Sequence, residues 1–281
     1  MRLTTKLHDR DAAGLTYVYP VVSRRARGVS VGINLNPNNA CNWRCVYCQV
    51  PGLSLGAAPK IDLELLEREL REMLEAIVHG DFLQRHVPEG SRRLNDVAFS
   101  GNGEPTTSRQ LDQALAVTER VLGDLELLGE LRVVLISNGS LVHKGDVQRA
   151  LERLARINGE LWFKLDSATS DGRKSLNDAE IGTERVEQNL ELAARLCPTR
   201  IQTIALAMDD EPPSEESQRA WLELVGRVLA RGAPIRDVLL YGLERPSQQP
   251  EAPRLSKLPE AWLERFATRV RELGLEVHVH P

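Results

Sequence analysis

The 281-residue sequence lacks any run approaching the ~20 consecutive apolar residues that a membrane helix needs. Its opening segment, MRLTTKLHDRDAAG, has no apolar stretch of the kind a secretory signal carries, so the sequence reads as a cytoplasmic chain without a membrane partner. Aromatic residues are scarce, at 4% against 42% hydrophobic residues, so a core must be built mainly from aliphatic side chains. Charge of one sign does not dominate either. A net charge of −4 gives no overall reason to bind nucleic acid. Two short basic clusters, Arg24, Arg25 and Arg27, then Arg85, Arg92 and Arg93, read as solvated surface. Internal repeats and low-complexity tracts are also missing. Cysteine is rare: of four, three lie within residues 41–48, and Cys197 stands alone. That spacing excludes a disulfide framework, and clustered thiols in a cytosolic chain are more often metal ligands or catalysts.

What is present is an alternation. Short apolar runs rich in Val, Ile and Leu fall at Val31–Asn36, Asp96–Ser100, Arg132–Ser137, Leu161–Asp166, Ile201–Met208, Val238–Tyr241 and Leu275–His280. Between them, apolar residues recur at three and four positions in Leu63–Val78, Leu111–Leu127, Gly145–Arg156, Glu184–Leu196, Ser214–Arg231 and Pro259–Leu273. In the first of these segments Leu66, Leu70, Met73, Leu74 and Ile77 share one face, as an outer helix covering a sheet would require. Six βα repeats and a terminal strand fall short of the eight in a complete (β/α)8 barrel. The expected fold is α/β: a partial, open (β/α)6 barrel with a mainly parallel sheet, an N-terminal extension over 1–29, and one barrel domain over 30–281 ending in a strand.

After the first expected strand comes Asn36-Pro-Asn-Asn-Ala-Cys41-Asn-Trp-Arg-Cys45-Val-Tyr-Cys48, a C-x3-C-x2-C spacing in a loop. Three thiolates in one loop can ligate three corners of a cubane cluster and leave the fourth iron open for a ligand. The competing readings are a zinc site with a distant fourth ligand, a redox C-x-x-C pair, and three incidental thiols. No second C-x-x-C or C-x-x-H knuckle appears for zinc, and a redox pair has no use for Cys41.

This motif, with aromatic Tyr47 before the last cysteine, resembles the signature of the radical S-adenosylmethionine superfamily. The resemblance implies a [4Fe–4S] cluster on Cys41, Cys45 and Cys48, with S-adenosyl-L-methionine on its open iron. It also implies reductive cleavage of that cofactor to a 5′-deoxyadenosyl radical that abstracts hydrogen, and an electron donor such as flavodoxin or ferredoxin. The segment Ser100-Gly-Asn-Gly-Glu-Pro-Thr106 resembles the superfamily's Gly-Gly-Glu motif, interrupted by Asn102. Ile136-Ser-Asn-Gly139 and Lys164-Leu-Asp-Ser167 resemble its cofactor-contacting strand ends. The resemblance therefore implies cofactor contacts from Tyr47, Gly101, Gly103, Glu104, Ser137, Asn138, Lys164, Asp166 and Ser167, while no residue is singled out as catalytic. Ser, Asn and Asp are equally favoured as ordinary turn and cap residues.

Met208, Asp209, Asp210, Tyr241, Glu244 and Arg245 also fall beyond strand ends, where a methionine is commonly core filler and an arginine before proline a loop anchor. His278 and His280 alternate on the last strand with no third ligand nearby in sequence. The run from Ser23 to Leu35, together with Phe99–Thr106, is similar to the group of wyosine-forming tRNA modification enzymes. Those carry a second cluster, which the lone Cys197 cannot supply, so wyosine synthesis is not expected. The substrate stays open among a small molecule, RNA and protein. The alternatives are a glycyl-radical activating enzyme acting on a protein partner and a non-catalytic zinc or iron–sulfur electron-transfer protein.

Overall fold

A computed structural model describes residue 3, residues 14–23 and residues 28–281. The cluster Arg24, Arg25 and Arg27 lies outside the described residues. The main sheet has eight strands: β1 (Val18–Ser23), β2 (Gly28–Ile33), β3 (Leu94–Phe99), β4 (Arg132–Ser137), β5 (Gly159–Lys164), β6 (Thr199–Ala205), β7 (Ile235–Gly242) and β8 (Glu276–His280). They pair in chain order from β1 to β8. Every pairing is parallel except β1 with β2.

Strict sequential order has a geometric consequence. Right-handed crossovers that always step in one direction put every helix on one face, so the sheet curls with its helices outside. The crossover helices are α1 (Leu63–Val78), α2 (Leu111–Asp124), α3 (Gly145–Arg156), α4 (Ser170–Asn177), α5 (Thr183–Leu196), α6 (Glu215–Ala230) and α7 (Glu260–Arg271). Among the described residues β1 and β8 are the edge strands, so the barrel is partial and open.

The period-two alternation of a strand sorts side chains between the two faces. Val97 and Phe99 of β3, Val133 and Leu135 of β4, and Leu161 and Phe163 of β5 enter the core under the helices. Their neighbours Asp96 and Ala98, Val134 and Ile136, and Trp162 and Lys164 face a cavity on the concave side. α1 buries Leu66, Leu70, Met73, Leu74 and Ile77, each worth roughly 1.5–3 kcal/mol on leaving water. Its start is capped by Asp62, which accepts the N–H groups of Glu64 and Leu65. The buried Glu69 of α1 accepts the N–H groups of Thr16, Tyr17 and Val18, fixing where β1 begins.

Several element bounds differ from the sequence pattern. The run Val31–Asn36 stops as a strand at Ile33, because Asn34 and Asn36 turn their side chains to local work. Asn34 Oδ1 accepts the N–H groups of Asn36 and Asn102, and Asn36 Nδ2 donates to the carbonyl of Ala40. The run Ile201–Met208 is split. β6 ends at Ala205, and Ala207–Met208 leaves the sheet to pair antiparallel with Leu255–Ser256. Of the sheet strands and crossover helices named above, two have no counterpart among the expected ones: β1, which pairs along the whole of β2, and α4. α4 buries Arg173 and Asn177, two polar residues, so apolar periodicity cannot announce it.

Candidate functional site

The cysteine loop is held by main-chain bonds from three directions. A short strand Ala40–Cys41 pairs with Ser54–Leu55. The last carbonyls of α4, those of Leu176 and Asn177, accept the N–H groups of Val46 at 2.9 Å and Arg44 at 3.0 Å. From beyond β7, Gln248 N–H reaches the Cys48 carbonyl at 2.8 Å, and Ser247 Oγ donates to the Val46 carbonyl at 2.6 Å. The loop therefore sits across the carboxyl ends of the strands, where α/β barrels place their ligands.

Cys41, Cys45 and Cys48 line one cavity of about 420 Å³, together with Tyr47, Gly101, Gly103, Glu104, Asn138 and Lys164. Burial pushes the Cys41 thiol up to about 12 and the Cys45 thiol up to about 11, so these two favour the neutral form until a cation replaces their protons. Cys197 is buried elsewhere, against the carbonyl of Gly159. Among the described residues, no group of three or more His, Cys, Asp or Glu side chains has the arrangement to hold a single metal ion. The three thiols share a cavity without that mononuclear convergence.

The glycines are there because neighbouring atoms fill the space a side chain would take. A Cβ on Gly101 would stand 2.3 Å from Asn34 Oδ1, and one on Gly103 would stand 2.0 Å from the Ala40 carbonyl oxygen. Just beyond them Glu104 is buried, and its Oε1 accepts from Thr106 N–H, Thr106 Oγ1 and Ser137 Oγ. Its Oε2 accepts the Asn138 N–H at 2.7 Å. Burial raises the Glu104 pKa, against the opposing pull of the bonds from Asn138, Thr106 and Ser137. Ser137 thus stands behind Glu104 as its donor and does not line the cavity. Asn138 reaches the cysteine loop, donating from Nδ2 to Asn42 Oδ1 at 2.9 Å.

Lys164 and Asp166 lie two residues apart at the end of β5. Lys164 Nζ donates to Tyr241 Oη at 2.8 Å, stands 4.0 Å from Asp166 Oδ2, and lies over the Tyr47 ring at 5.0 Å from its centre. Burial works to lower the Lys164 pKa, but the charges of Asp166 and Tyr241 outweigh it and hold the ammonium form above its ordinary range. Asp166 is enclosed, accepting from Tyr47 Oη, from Asn177 Nδ2 at 2.9 Å and from Ile204 N–H at 3.2 Å. Asp166 and Ser167 line an adjacent cavity of about 270 Å³, and Ile204 lines both. Ser167 Oγ accepts from Thr169 N–H at 3.3 Å, as a turn residue does.

Of the further strand-end residues, Tyr241, Glu244 and Arg245 line the larger cavity. Met208 lines the smaller one, while Asp209 is exposed and forks onto Arg254. Asp210 is bonded to Ser256. His278 and His280 line a separate cavity, with His278 Nε2 3.4 Å from Asp237 Oδ2. The sequence pattern gives no sign of Asn177, which is buried and in contact with Cys45, Tyr47 and Asp166. It equally omits Tyr19, bonded to Ser100 at 2.9 Å on the cavity wall. Both act across the fold, and neither sits in a recognisable local motif.

A curled parallel sheet carrying a three-cysteine loop over its strand ends defines an α/β protein built around a thiol-lined cavity. A family model described as the radical SAM superfamily matches residues 35–217, and the chain belongs to that superfamily. It is 30% identical to a UPF0026 protein of Helicobacter pylori over 149 residues, which is 53% of this chain and 41% of that protein. It is 24% identical to a UPF0026 protein of Synechocystis over 220 residues, which is 75% of this chain and 71% of that protein. It is also 25% identical over 132 residues to a protein named GTPase Obg from Brachyspira hyodysenteriae, 47% of this chain but 17% of that protein. The chain thus spans less than half the length of the first of these curated relatives. In fold it is similar to a radical SAM methyltransferase from Sphaerobacter thermophilus, with a TM-score of 0.61, 16% identity, and coverage of 90% of this chain and 66% of that one. It is also similar to TYW1 with a lysine–pyruvate adduct bound, with a TM-score of 0.57, 16% identity, and coverage of 88% and 74%. Among the described residues no helix is long and apolar enough to cross a membrane.

Proposed function

We propose that this chain is a radical S-adenosylmethionine enzyme whose Cys41, Cys45 and Cys48 hold a [4Fe–4S] cluster. The observation that carries the reading is the convergence of the three thiols with Glu104, Asn138 and Lys164 on one cavity at the strand ends. The donor set suits the cluster, since three soft sulfurs leave one iron for a further ligand. Bound there, the reduced cluster and S-adenosylmethionine supply one-electron cleavage to methionine and a 5′-deoxyadenosyl radical that takes hydrogen from a substrate.

The chain's own residues orient and enclose. Gly101 and Gly103 line the cavity and would present main chain, not side chains, to a bound cofactor. Glu104 Oε2 has lone-pair capacity beyond the Asn138 N–H and can accept from an ammonium group. Lys164, held cationic, directs one N–H to Tyr241 and can meet a carboxylate with the others. Asp166, which the resemblance would place at the ribose hydroxyls with Ser167, is enclosed by Tyr47, Ile204 and Asn177 on the adjacent cavity, so its part here is to brace the wall that Ile204 shares between the two cavities. Val134, Ile136 and Ile204 give the cavity apolar walls that keep water from a reactive intermediate. The substrate is a small molecule, RNA or protein, and a flavodoxin or ferredoxin is the expected class of electron donor. The GTPase name belongs to a protein of which this chain spans 17%, and this sequence holds no Gly-x4-Gly-Lys-Ser/Thr phosphate loop.

The test is product formation under strictly anaerobic conditions. Reconstituted protein with dithionite is expected to release 5′-deoxyadenosine from S-adenosylmethionine, and Cys45→Ala to release none. Wild-type protein with a verified cluster that leaves the cofactor intact would overturn the reading. Stoichiometric zinc without iron after anaerobic purification would favour the rival metal site.

A further inference from the structure

Asn177 touches a cysteine sulfur of the loop, and neither the motif nor the proposed cofactor contacts include it. It ends α4, it is 1% exposed, and its side-chain amide meets three acceptors: Cys45 Sγ at 3.2 Å, Asp166 Oδ2 at 2.9 Å and Tyr47 Oη at 3.4 Å. An amide carries two N–H donors. The Tyr47 contact is the longest of the three, and sulfur is larger than oxygen, so the carboxylate and the cysteine sulfur are the two tight acceptors for the two Asn177 hydrogens.

This placement is fixed by main chain as well as side chain. The carbonyls of Leu176 and Asn177 accept the N–H groups of Val46 and Arg44, which flank Cys45 on either side. The next residue, Asp178, takes a left-handed conformation with φ of 49° and pairs through its carboxylate with Lys174 at 2.9 Å and with Arg44 at 3.5 Å. The last turn of α4 is thereby locked to the loop, which holds the buried Asn177 amide beside the sulfur.

We infer that Asn177 is a positioning residue that hydrogen-bonds the Cys45 sulfur in the loaded protein and raises the reduction potential of the cluster, making its reduced state easier to reach. The physical reason is charge. Reduction adds an electron that is spread over iron and sulfur, and a donor aimed at a ligand sulfur stabilises the more negative state. Burial strengthens the effect, because the amide dipole acts where water is excluded. The inference rests on the proposed cluster on Cys41, Cys45 and Cys48. It goes further by assigning the setting of the potential to a side chain outside the cysteine motif.

The test is the midpoint potential of the reconstituted protein without S-adenosylmethionine, read by electron paramagnetic resonance during a redox titration. Asn177→Leu keeps the volume and removes the donor. With a full iron and sulfide complement retained, its midpoint is expected to move to more negative potential, and an unchanged midpoint overturns the inference. A second measurement needs no variant. Wild-type protein grown with asparagine labelled with nitrogen-15 only at the side-chain amide is reduced and examined by pulsed electron paramagnetic resonance. A nitrogen-15 coupling to the cluster that Asn177→Leu removes is expected, and the absence of any such coupling in wild type overturns the inference even where Asn177→Leu fails to keep its cluster. Protein that assembles no iron–sulfur cluster at all overturns the proposed function as well, so the two failures are told apart by the iron analysis.

Discussion

Glu104 Oε2 accepts the main-chain N–H of Asn138 at 2.7 Å, so the carboxylate that follows β3 is bonded to the backbone that follows β4. The same carboxylate takes the Ser137 hydroxyl at 2.7 Å and two donors of Thr106. Glu104→Ala would leave these buried donors without an acceptor, and the expected cost is about 3 kcal/mol or more. Urea unfolding of the variant against wild type measures it. A loss below about 1 kcal/mol would show that the network does not hold the strand ends together.

Gly103→Ala probes the contact between this turn and the cysteine loop. Its Cβ would stand 2.0 Å from the Ala40 carbonyl oxygen, next to Cys41, so one backbone segment has to move. Overpacking of this kind costs about 1–3 kcal/mol. Because the moving segment carries Cys41, iron retained after anaerobic desalting should fall together with stability. Full iron retention with unaltered stability would refute the close packing.

Lys164→Met retains a long apolar stem and removes the ammonium that Tyr241 holds at 2.8 Å. If Lys164 meets the methionine carboxylate, the loss of a charge-assisted bond weakens S-adenosylmethionine binding by on the order of tenfold or more. Equilibrium dialysis on cluster-loaded protein gives the affinity. An unchanged affinity would remove Lys164 from the cofactor site.

Burial of Asp96 makes part of the stability depend on pH. It faces the cavity, Ser30 Oγ donates to it, and burial raises its pKa from 3.8 to about 6. The sign follows from proton counting. Between these values the folded chain binds more protons at this site than the unfolded chain, so the contribution to stability falls as pH rises through the window. The fall amounts to roughly 3 kcal/mol at most. Asp96→Asn removes the titration, so its stability should decline less than that of wild type between about pH 4 and pH 6. Parallel curves would show that Asp96 is not the group responsible.

Arg173→Ala tests the turn that carries Asp166 and Ser167. Arg173 is 2% exposed, and its guanidinium donates to the carbonyls of Ile181 and Ser167 and to the hydroxyls of Ser170 and Thr183. Truncation leaves several buried acceptors unsatisfied and opens a cavity, and a loss of about 3 kcal/mol or more is expected. Thermal unfolding in the absence of any ligand reads it.

The parts legible in sequence were those with local or periodic form. α1 and α3 keep the bounds Leu63–Val78 and Gly145–Arg156, because apolar residues at three and four positions mark a face that must be buried. β4 keeps Arg132–Ser137 for the corresponding period-two reason. α4 was not legible, since its inward residues are an arginine and an asparagine whose partners lie in other loops.

The sequence by itself determined the open parallel barrel and the chemistry of its mouth: alternation of two periods dictates βα units, and three thiols in one loop dictate a soft-metal donor set. Tertiary structure alone decided which polar groups stand around those thiols. Asn177 is 132 positions from Cys45, Asp166 is 119 from Tyr47 and Tyr241 is 77 from Lys164. No local pattern encodes such pairs, because they meet only when sequential strands curl and bring their carboxyl ends beneath one loop.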